Sequence, residues 1–271
     1  MNSTLKTIED RVSLRRYKDQ KIDENDLDQI INSAMRSPTA GNMMLYSIIV
    51  IKDKKKKEIL SKTCDNQPFI ARAPVLLVFL ADFQKLFDYF KVSNLQEYCK
   101  RENKELPKPK YANMFLAAGD TFIAAQNAVI AAESMGIGSC YIGDIIENYE
   151  EKKELLNLPK YTLPLTMLTL GYYPDDYKKR QSSRFDKDYI VFEEEYKRLN
   201  ERELKEMFKE KEEKMKKENR YNADNYGQYI YAHKFDTEFF KEMERSLKIM
   251  IEEWINDNEE FNYSVSGNIK S

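Results

Sequence analysis

The sequence predicts a layered fold of the α+β or α/β class, in which helices pack on a central sheet. Three apolar runs, residues 47–51, 75–81 and 165–170, have the length and the flanking turn residues of buried strands. The stretch 117–135, between the second and the third run, is apolar on almost every side when it is drawn as a helix. Such a helix is buried on most of its faces, so the other elements are expected to pack around it.

The composition is typical of one large globular domain, or of one domain with an appendage. The chain has 271 residues, of which 42% are hydrophobic and 33% are charged. A net charge of −2 gives no support to nucleic-acid binding, and no uninterrupted apolar run approaches a membrane span. The first residues lack the apolar stretch of a signal peptide, so none is expected, and three scattered cysteines favour a reducing compartment. We therefore expect a cytoplasmic protein with no nucleic-acid or membrane partner.

The single histidine, His233, restricts the catalytic devices that this chain can build. It lies in a polar region without a nucleophile motif, so a Ser-His-Asp or Cys-His device is not indicated. Zinc sites with several histidines are impossible, and no CxxC pair replaces them, so no metal is expected. If the protein is an enzyme, a bound cofactor is expected to carry its chemistry.

Two polar segments in the first part of the chain could bind a ligand. A predicted short helix near the N-terminus ends in a basic cluster of Arg11, Arg15 and Arg16 with Ser13 between them, and guanidinium groups pair well with phosphate. A second helix, capped by Asp23, ends near Pro38 and leads into small polar residues before the first strand. A solvated helix end and an ordinary connecting loop explain the same two segments.

A glycine-rich stretch, GIGSCYIG, follows the central helix at residues 136–143. Its backbone N–H groups have little side-chain cover, so a planar polar ligand could lie directly against them. The alternative interpretation is a core helix, a turn and a short strand without a ligand. Asn148 and Glu151 then predict a capping box for the next helix.

The character of the chain changes from about residue 188. Residues 193–220 are almost all charged and predict a solvated helix. An apolar stripe from Phe240 to Trp254 follows a tyrosine-rich stretch and must be buried on this chain or on a partner. Together with the central helix, this stripe predicts an obligate dimer. In such a dimer, the charged segment is expected to carry the final helix to the other subunit.

Five segments of the chain occur in an order that is found in one enzyme family. They are RVSLRRY, SPTAGNMMLYSIIVI, NQPFIARAPVLLVFLADF, MGIGSCYIGDI and LPLTMLTLGYYP, and they cover roughly residues 7–185. Together they resemble the FMN-dependent nitroreductase and flavin reductase family, and most of all its NADPH-dependent oxygen-insensitive nitroreductases. The resemblance implies an α+β fold with a central, mainly antiparallel sheet flanked by helices, in an intertwined homodimer. It also implies an FMN-binding domain, 1–190, and a charged helical extension, 191–271, that packs on the dimer.

The resemblance assigns an FMN site at the dimer interface to residues of several loops. The residues that would hold the phosphate and the ribityl chain are Arg11, Val12, Ser13 and Arg15, with Arg184 completing the phosphate site. Those that would face the flavin ring or its ribityl hydroxyls are Gln67, Tyr141, Ile142 and Gly143. The other subunit would contribute Pro38, Thr39, Ala40 and Asn42.

The chain departs from the family pattern in two places. The family often has a Lys-x-Arg pair where this sequence has Ser-Ser-Arg ending at Arg184, so Arg180 or Lys179 would supply the second phosphate cation. Residues 43–45, Met-Met-Leu, stand where glutamine and proline are frequent, which predicts a more apolar rim.

The implied activity is that of an FMN-dependent NAD(P)H oxidoreductase. Such an enzyme reduces nitroaromatic, quinone or flavin acceptors by ping-pong hydride transfer through N5 of FMN, with NADPH or NADH as reductant. No side chain would need to act as acid or base, and Lys234 would bind the 2′-phosphate of NADPH. Two alternatives stay open, which are another reaction within the family and a non-catalytic protein that binds flavin or a partner.

Overall fold

The computed structural model describes residues 2–215 and 218–256; Met1, residues 216–217 and residues 257–271 lie outside the description. The chain forms two compact units. One comprises the residues up to Lys179 together with those from Met243 onward, and the other comprises Arg180–Glu242. The functional division at residues 190 and 191 stays a prediction.

The first unit is built on a four-stranded sheet. Its strands are β1 (Tyr46–Ile51), β2 (Val75–Asp82), β3 (Ile137–Ile142) and β4 (Thr162–Tyr172). They lie in the order β1-β2-β4-β3, and every neighbouring pair is antiparallel. The predicted mainly antiparallel sheet is thus confirmed. The fold therefore belongs to the α+β class and not to the α/β class. The glycine-rich stretch supplies β3, one of the two outer strands.

Helices cover both faces of this sheet. In chain order they are α1 (Ser3–Asp10), α2 (Glu24–Met35), α3 (Lys54–Thr63), α4 (Pro68–Arg72), α5 (Gln84–Val92), α6 (Leu95–Arg101), α7 (Tyr111–Ser134) and α8 (Tyr149–Leu156). On one face, α2 and α7 share a buried cluster with Leu77 and Phe79 of β2. On the other face, residues of α3, α4 and α8 share a cluster with Leu76 and Val78. Because both faces are covered, every residue of β2 is buried, which explains its uninterrupted apolar run.

Helix α7 is the central helix that the sequence predicts, but it has one buried and one exposed side. Ala124, Ala125 and Ala128 are fully buried against the sheet. On the other side, Phe115 is 79% exposed and Phe122 is 47% exposed. The expected burial on most faces is therefore not met within one chain. By length and composition alone α7 could cross a membrane, a test that the core helices of soluble proteins pass as well.

Two predicted helix starts have different outcomes. The Asp23 carboxylate accepts a hydrogen bond from the Asn25 N–H at 2.9 Å, so the predicted cap of α2 is confirmed. The predicted capping box at Asn148 is wrong. Asn148 has a left-handed φ of 46°, and its side chain does not cap α8. Its Nδ2 donates instead to the Thr63 carbonyl at the end of α3, 3.1 Å away.

The part of the apolar stripe that belongs to the first unit is buried on the same chain. This stripe lies on helix α11, which spans Glu238–Ile255. Its Met250 and Trp254 are fully buried. The Trp254 ring lies 5.7 Å from that of Tyr161, which lies 4.9 Å from that of Phe87. In this structure, residues of the same chain cover these side chains. The sequence had instead suggested that the final helix docks on the other subunit.

The second unit contains helices α9 (Glu201–Lys214) and α10 (Tyr226–Ile230), and it includes the start of α11. No residue of α9 is buried, which confirms a solvated helix for that part of the charged segment. Phe208 of α9 contacts the rings of Phe185 and Tyr226, at 5.0 and 6.1 Å between centroids. A π-helical turn, Tyr231–Phe235, follows α10.

Candidate functional site

The basic residues near the N-terminus lie on an extended segment, residues 11–15, and not on a helix end. Helix α1 ends at Asp10, and Ser13 then forms a parallel bridge with Ser139 of β3. The Leu14 N–H donates to the Ser139 carbonyl at 2.8 Å. The segment therefore continues the sheet beyond β3, and its backbone is held by the core of the first unit.

The side chains of this segment alternate in burial. Val12 and Leu14 are 7% and 0% exposed, whereas Arg11 and Ser13 are half-buried and Arg15 is exposed. Successive side chains of an extended chain point to opposite sides. The apolar pair thus fixes the segment, and Arg11, Ser13 and Arg15 lie together on the other side.

Two glycines of the stretch 136–143 have different roles. A Cβ at Gly138 would lie 2.5 Å from Leu14 Cδ2 and 2.8 Å from the Tyr173 ring, so only glycine lets the extended segment approach β3. At Gly143, no neighbouring heavy atom of the described chain lies within 4 Å of the position of a Cβ. The first glycine serves packing, and the second leaves its backbone accessible.

Arg11, Ser13 and Arg15 converge on the Cys140 side chain of β3, and we call this group the basic cradle. Burial raises the pKa of the Cys140 thiol, while the charge of Arg15, the Ser13 hydroxyl and the charge of Arg11 act in the opposite direction. The Arg15 guanidinium also lies 5.9 Å from the centroid of the Phe69 ring. Two guanidinium groups and a hydroxyl around one point are a donor set that fits a phosphate.

Arg11 and Arg15 of the cradle differ from the neighbouring Arg16 in their ion pairs with carboxylates. Arg16 donates two hydrogen bonds to the Asp176 carboxylate, at 3.1 and 3.0 Å. Across residues 2–215 and 218–256, no carboxylate forms an ion pair with Arg11 or Arg15. The charges of the cradle are therefore available to an anion, whereas the charge of Arg16 is matched within the protein.

The predicted ring-facing residues of β3 lie next to the cradle. Burial raises the pKa of Tyr141 to about 12, and the nearby charge of Arg11 opposes this rise. The Tyr141 hydroxyl donates to Gln126 Oε1 of α7 at 3.2 Å. Ile142 is 1% exposed and belongs to the core, so its contribution to a ligand site is through its backbone. The chain then reaches the open backbone at Gly143.

Gln67 lies at the start of α4, which also carries Phe69. Its Nε2 donates to the Cys64 carbonyl at 3.1 Å, and its N–H donates to the Ser61 carbonyl at 2.9 Å. The Ser61 hydroxyl donates back to the Gln67 carbonyl at 2.8 Å. The predicted ring-facing amide is thus held by its own turn.

The predicted partner-facing loop is shaped by a carboxylate that the sequence interpretation missed. Residues Ala40–Asn42 form a short 3-10 turn in which Gly41 and Asn42 have φ of 55° and 56°. Asp120 of α7, 3% exposed, accepts from the Ala40 N–H at 2.9 Å and from the Leu45 N–H at 3.1 Å. An acidic residue in an apolar helix was the signal for this function. Whether Pro38, Thr39, Ala40 and Asn42 serve a partner subunit stays a prediction.

Lys179, one of the two candidates for the second phosphate cation, is already paired within the chain. It forms an ion pair with Glu133 of α7, whose carboxylate is buried and also accepts from the Tyr173 hydroxyl at 2.8 Å. Glu133 was missed by the sequence interpretation as well, although it is the other acidic residue of the same apolar helix. Which of Lys179 and Arg180 is the second phosphate cation stays a prediction.

Two predicted contacts belong to the second unit, and their roles stay predictions. Arg184 donates to the Ser182 carbonyl at 3.2 Å. Lys234 is exposed in the π-helical turn, next to His233, whose Nδ1 lies 2.9 Å from the Tyr221 hydroxyl. Among the described residues, no group of three or more His, Cys, Asp or Glu side chains could hold a metal.

Comparison with known proteins gives a consistent result. The model of the nitroreductase family matches residues 8–172. The chain is 33% identical to FMN reductase [NAD(P)H] of Bacillus subtilis over 204 residues, covering 75% of this chain and 78% of the relative. It is 32% identical to the oxygen-insensitive NADPH nitroreductase of Salmonella typhimurium over 204 residues, covering 75% and 79%.

Solved structures show the same fold over most of the chain. The oxidoreductase YcnD of Bacillus subtilis superposes with a TM-score of 0.76 at 29% identity, covering 92% of this chain and 98% of that one. NfrA2 of B. megaterium superposes with a TM-score of 0.74 at 30% identity, with the same coverage of 92% and 98%. The resemblance drawn from the five segments is therefore confirmed.

Proposed function

Because this chain belongs to the nitroreductase family and is an FMN-dependent NAD(P)H oxidoreductase, we propose that it reduces nitroaromatic, quinone or flavin acceptors in a ping-pong reaction. When bound, FMN supplies hydride transfer at N5 between NAD(P)H and the acceptor. The observation that carries this proposal is the basic cradle, whose two arginines form no ion pair with a described carboxylate, beside the open backbone of Gly143.

The cradle binds the flavin phosphate. Arg11 and Arg15 donate charge-assisted hydrogen bonds to it, which are about twice as strong as neutral ones, and Ser13 adds a hydroxyl. Their backbone does not move on binding, because Val12 and Leu14 are buried and Ser13 is bridged to β3. The chain therefore provides a preformed phosphate site within its first unit.

The ring is held mainly by backbone groups. Tyr141 and Ile142 end β3, and Gly143 leaves its N–H free of side-chain cover, so that the N–H can donate to the negative charge that develops on a reduced ring. Gln67 faces the ring from the start of α4. No histidine, cysteine or carboxylate of this chain acts as acid or base in the proposal.

The active unit in this proposal is a cytoplasmic homodimer. The exposed side of α7, with Phe115 and Phe122, is an apolar surface of the kind that obligate dimers bury. The partner's loop at residues 38–42 completes the flavin site, and residues 1–190 form the FMN-binding domain. Light scattering on the holoprotein should give a dimer at micromolar concentration, and a monomer that is active and fully loaded with FMN would contradict this part.

The activity is tested on the purified holoprotein. The protein should have the visible spectrum of a flavin, release FMN on denaturation, and oxidise NADPH or NADH when a nitroaromatic, a quinone or free FMN is added. Initial rates at several fixed acceptor concentrations should give parallel lines in double-reciprocal plots. A colourless protein that does not bind added FMN would overturn the proposed function, and intersecting lines would overturn the ping-pong order.

A further inference from the structure

A fully buried lysine lies outside the basic cradle and has no role in the reaction proposed above. Lys152 of α8 is 0% exposed. Its Nζ donates to three backbone carbonyls, those of Thr63 at 2.9 Å, Asp144 at 2.6 Å and Glu147. An ammonium has three donors and no acceptor, so this arrangement satisfies all of them in the interior. Burying a charge is costly unless it is compensated in this way.

The three carbonyls belong to two turns. Thr63 ends α3 and begins the Gln67 turn, residues 63–67, in which Asp65 and Asn66 have left-handed φ of 52° and 49°. Asp144 and Glu147 lie in the Gly143 turn, residues 143–147, which directly follows β3. These turns carry Gln67 and Gly143, two of the groups that face the flavin ring in the proposed function. One ammonium thus joins two segments that are about eighty residues apart in sequence.

A second donor supports the same link. Asn148 Nδ2 donates to the Thr63 carbonyl at 3.1 Å, so this carbonyl accepts from two side chains of the α8 segment. Cys64, the next residue of the Gln67 turn, is buried close to Lys152, and its carbonyl accepts from Gln67 Nε2. The chain of contacts therefore runs from Lys152 through the Gln67 turn to the Gln67 amide itself.

We propose that Lys152 is a positioning residue that holds the Gln67 turn and the Gly143 turn at the separation required by the flavin ring. This inference rests on the proposed function. Lys152 does not touch the flavin; its ammonium acts through the backbone of the two turns. Removal of the Lys152 ammonium should change the environment of the flavin ring. It should leave the contacts between the basic cradle and the flavin phosphate unchanged.

The test compares Lys152→Met with the wild type and with Lys62→Met, which removes an exposed lysine from α3 next to the same turn. Methionine keeps the length and removes the donors. We expect FMN to dissociate roughly ten to a hundred times faster from Lys152→Met, the range for displaced positioning groups. At saturating FMN, the visible circular dichroism and the reduction potential of the bound flavin should also shift, which a loss of stability alone would not cause.

A second variant covers the case in which Lys152→Met does not fold. Asn148→Gly tolerates the left-handed φ and removes one of the two donors to Thr63, so it should shift the same spectrum in the same direction by less. A bound-flavin spectrum and potential equal to the wild type in Lys152→Met, or in Asn148→Gly if only that variant folds, would overturn the inference. It would leave the proposed function standing. A wild type that binds no FMN would overturn both.

Discussion

The two ends of the proposed FMN site are built in opposite ways. At the phosphate end, the charged side chains of Arg11 and Arg15 are accessible, and the backbone beneath them is fixed by apolar residues and by pairing with β3. At the ring end, the accessible groups are backbone atoms, and the charged side chain that shapes them, Lys152, is buried. The phosphate end thus offers accessible side chains on an extended, paired backbone. The ring end offers accessible backbone groups in irregular turns that buried side chains hold in place.

This difference has a functional consequence. A phosphate is recognised by charge, so the first end needs side chains that reach it from a rigid base. A flat ring must be approached closely, so the second end needs small residues and turns, whose unpaired carbonyls must be satisfied inside the protein. The two ends should therefore respond differently to substitution, and the following predictions test that difference in order of expected effect.

The largest effect is expected at the phosphate end. Arg15→Ala should weaken FMN binding by about 1.5–3 kcal/mol, because a hydrogen bond to a charged group is lost. Arg16→Ala is the matched control, since Arg16 is already paired with Asp176 and lies outside the cradle. Fluorescence titration of the apoproteins measures both. Equal losses in the two variants would show that the effect is one of general charge.

The same contrast explains what the sequence could predict. Arg11, Ser13 and Arg15 were identifiable as a candidate site because arginines near a hydroxyl suggest an anion, but the sequence placed them at a helix end and not on the extended segment that the structure shows. The strands and the buried side of α7 were identifiable from apolar periodicity. These features depend on neighbours in sequence. The structure confirms the strands and the central helix, whereas the binding roles of the three residues stay predictions.

The groups that shape the loops could not be predicted in this way. Asp120 bonds backbone groups 80 and 75 residues away, and Lys152 bonds a carbonyl 89 residues away. Their partners are backbone atoms, which have no sequence signature. The pairing of Lys179 with Glu133 could not be predicted either, because the two residues are 46 positions apart in sequence. An acidic residue in an apolar helix was the available signal for Asp120 and Glu133.

Two glycine substitutions should distinguish the two ends. At the phosphate end the glycine allows close packing of the backbone, and at the ring end it leaves the backbone accessible to a ligand. Gly138→Ala should destabilise the apoprotein by about 1–3 kcal/mol, because its Cβ would overlap Leu14 and Tyr173. Gly143→Ala should change stability by less than about 0.5 kcal/mol but should alter the spectrum of bound flavin. Urea unfolding and absorbance measure the two effects. Similar stability losses in both variants would contradict the assigned roles.

A buried carboxyl at the ring end should make stability depend on pH. Burial raises the pKa of Glu147 to about 7 from an ordinary 4.5, although the charge of Lys152 opposes the rise. Between these values the folded state holds more protons than the unfolded state. Stability should therefore fall as pH rises through this window, by at most about 1.4 kcal/mol per pH unit from this group.

The variant Glu147→Gln removes this contribution. The free energy of unfolding, measured in urea at pH 5 and at pH 8, should fall less between the two pH values than it does in the wild type. Glu151→Gln, an exposed carboxyl on α8, is the control and should behave as the wild type. An unchanged pH dependence in Glu147→Gln would show that Glu147 does not titrate in this window.

The smallest effect is expected for the coenzyme. Lys234 is exposed, so its pairing with the 2′-phosphate of NADPH is worth at most about 1 kcal/mol. Lys234→Ala should raise the KM for NADPH by up to about fivefold and leave the KM for NADH unchanged. Steady-state assays with each coenzyme measure the two KM values. An equal change for both, or no change, would remove Lys234 from the coenzyme site.

The central claim is that a preformed phosphate site selects the cofactor. Titration of the wild-type apoprotein with FMN and with riboflavin, which lacks the phosphate, tests it most directly. With two arginines each contributing about 1.5–3 kcal/mol, FMN should bind at least about a hundred times more tightly than riboflavin. Equal affinities for the two flavins would contradict the account.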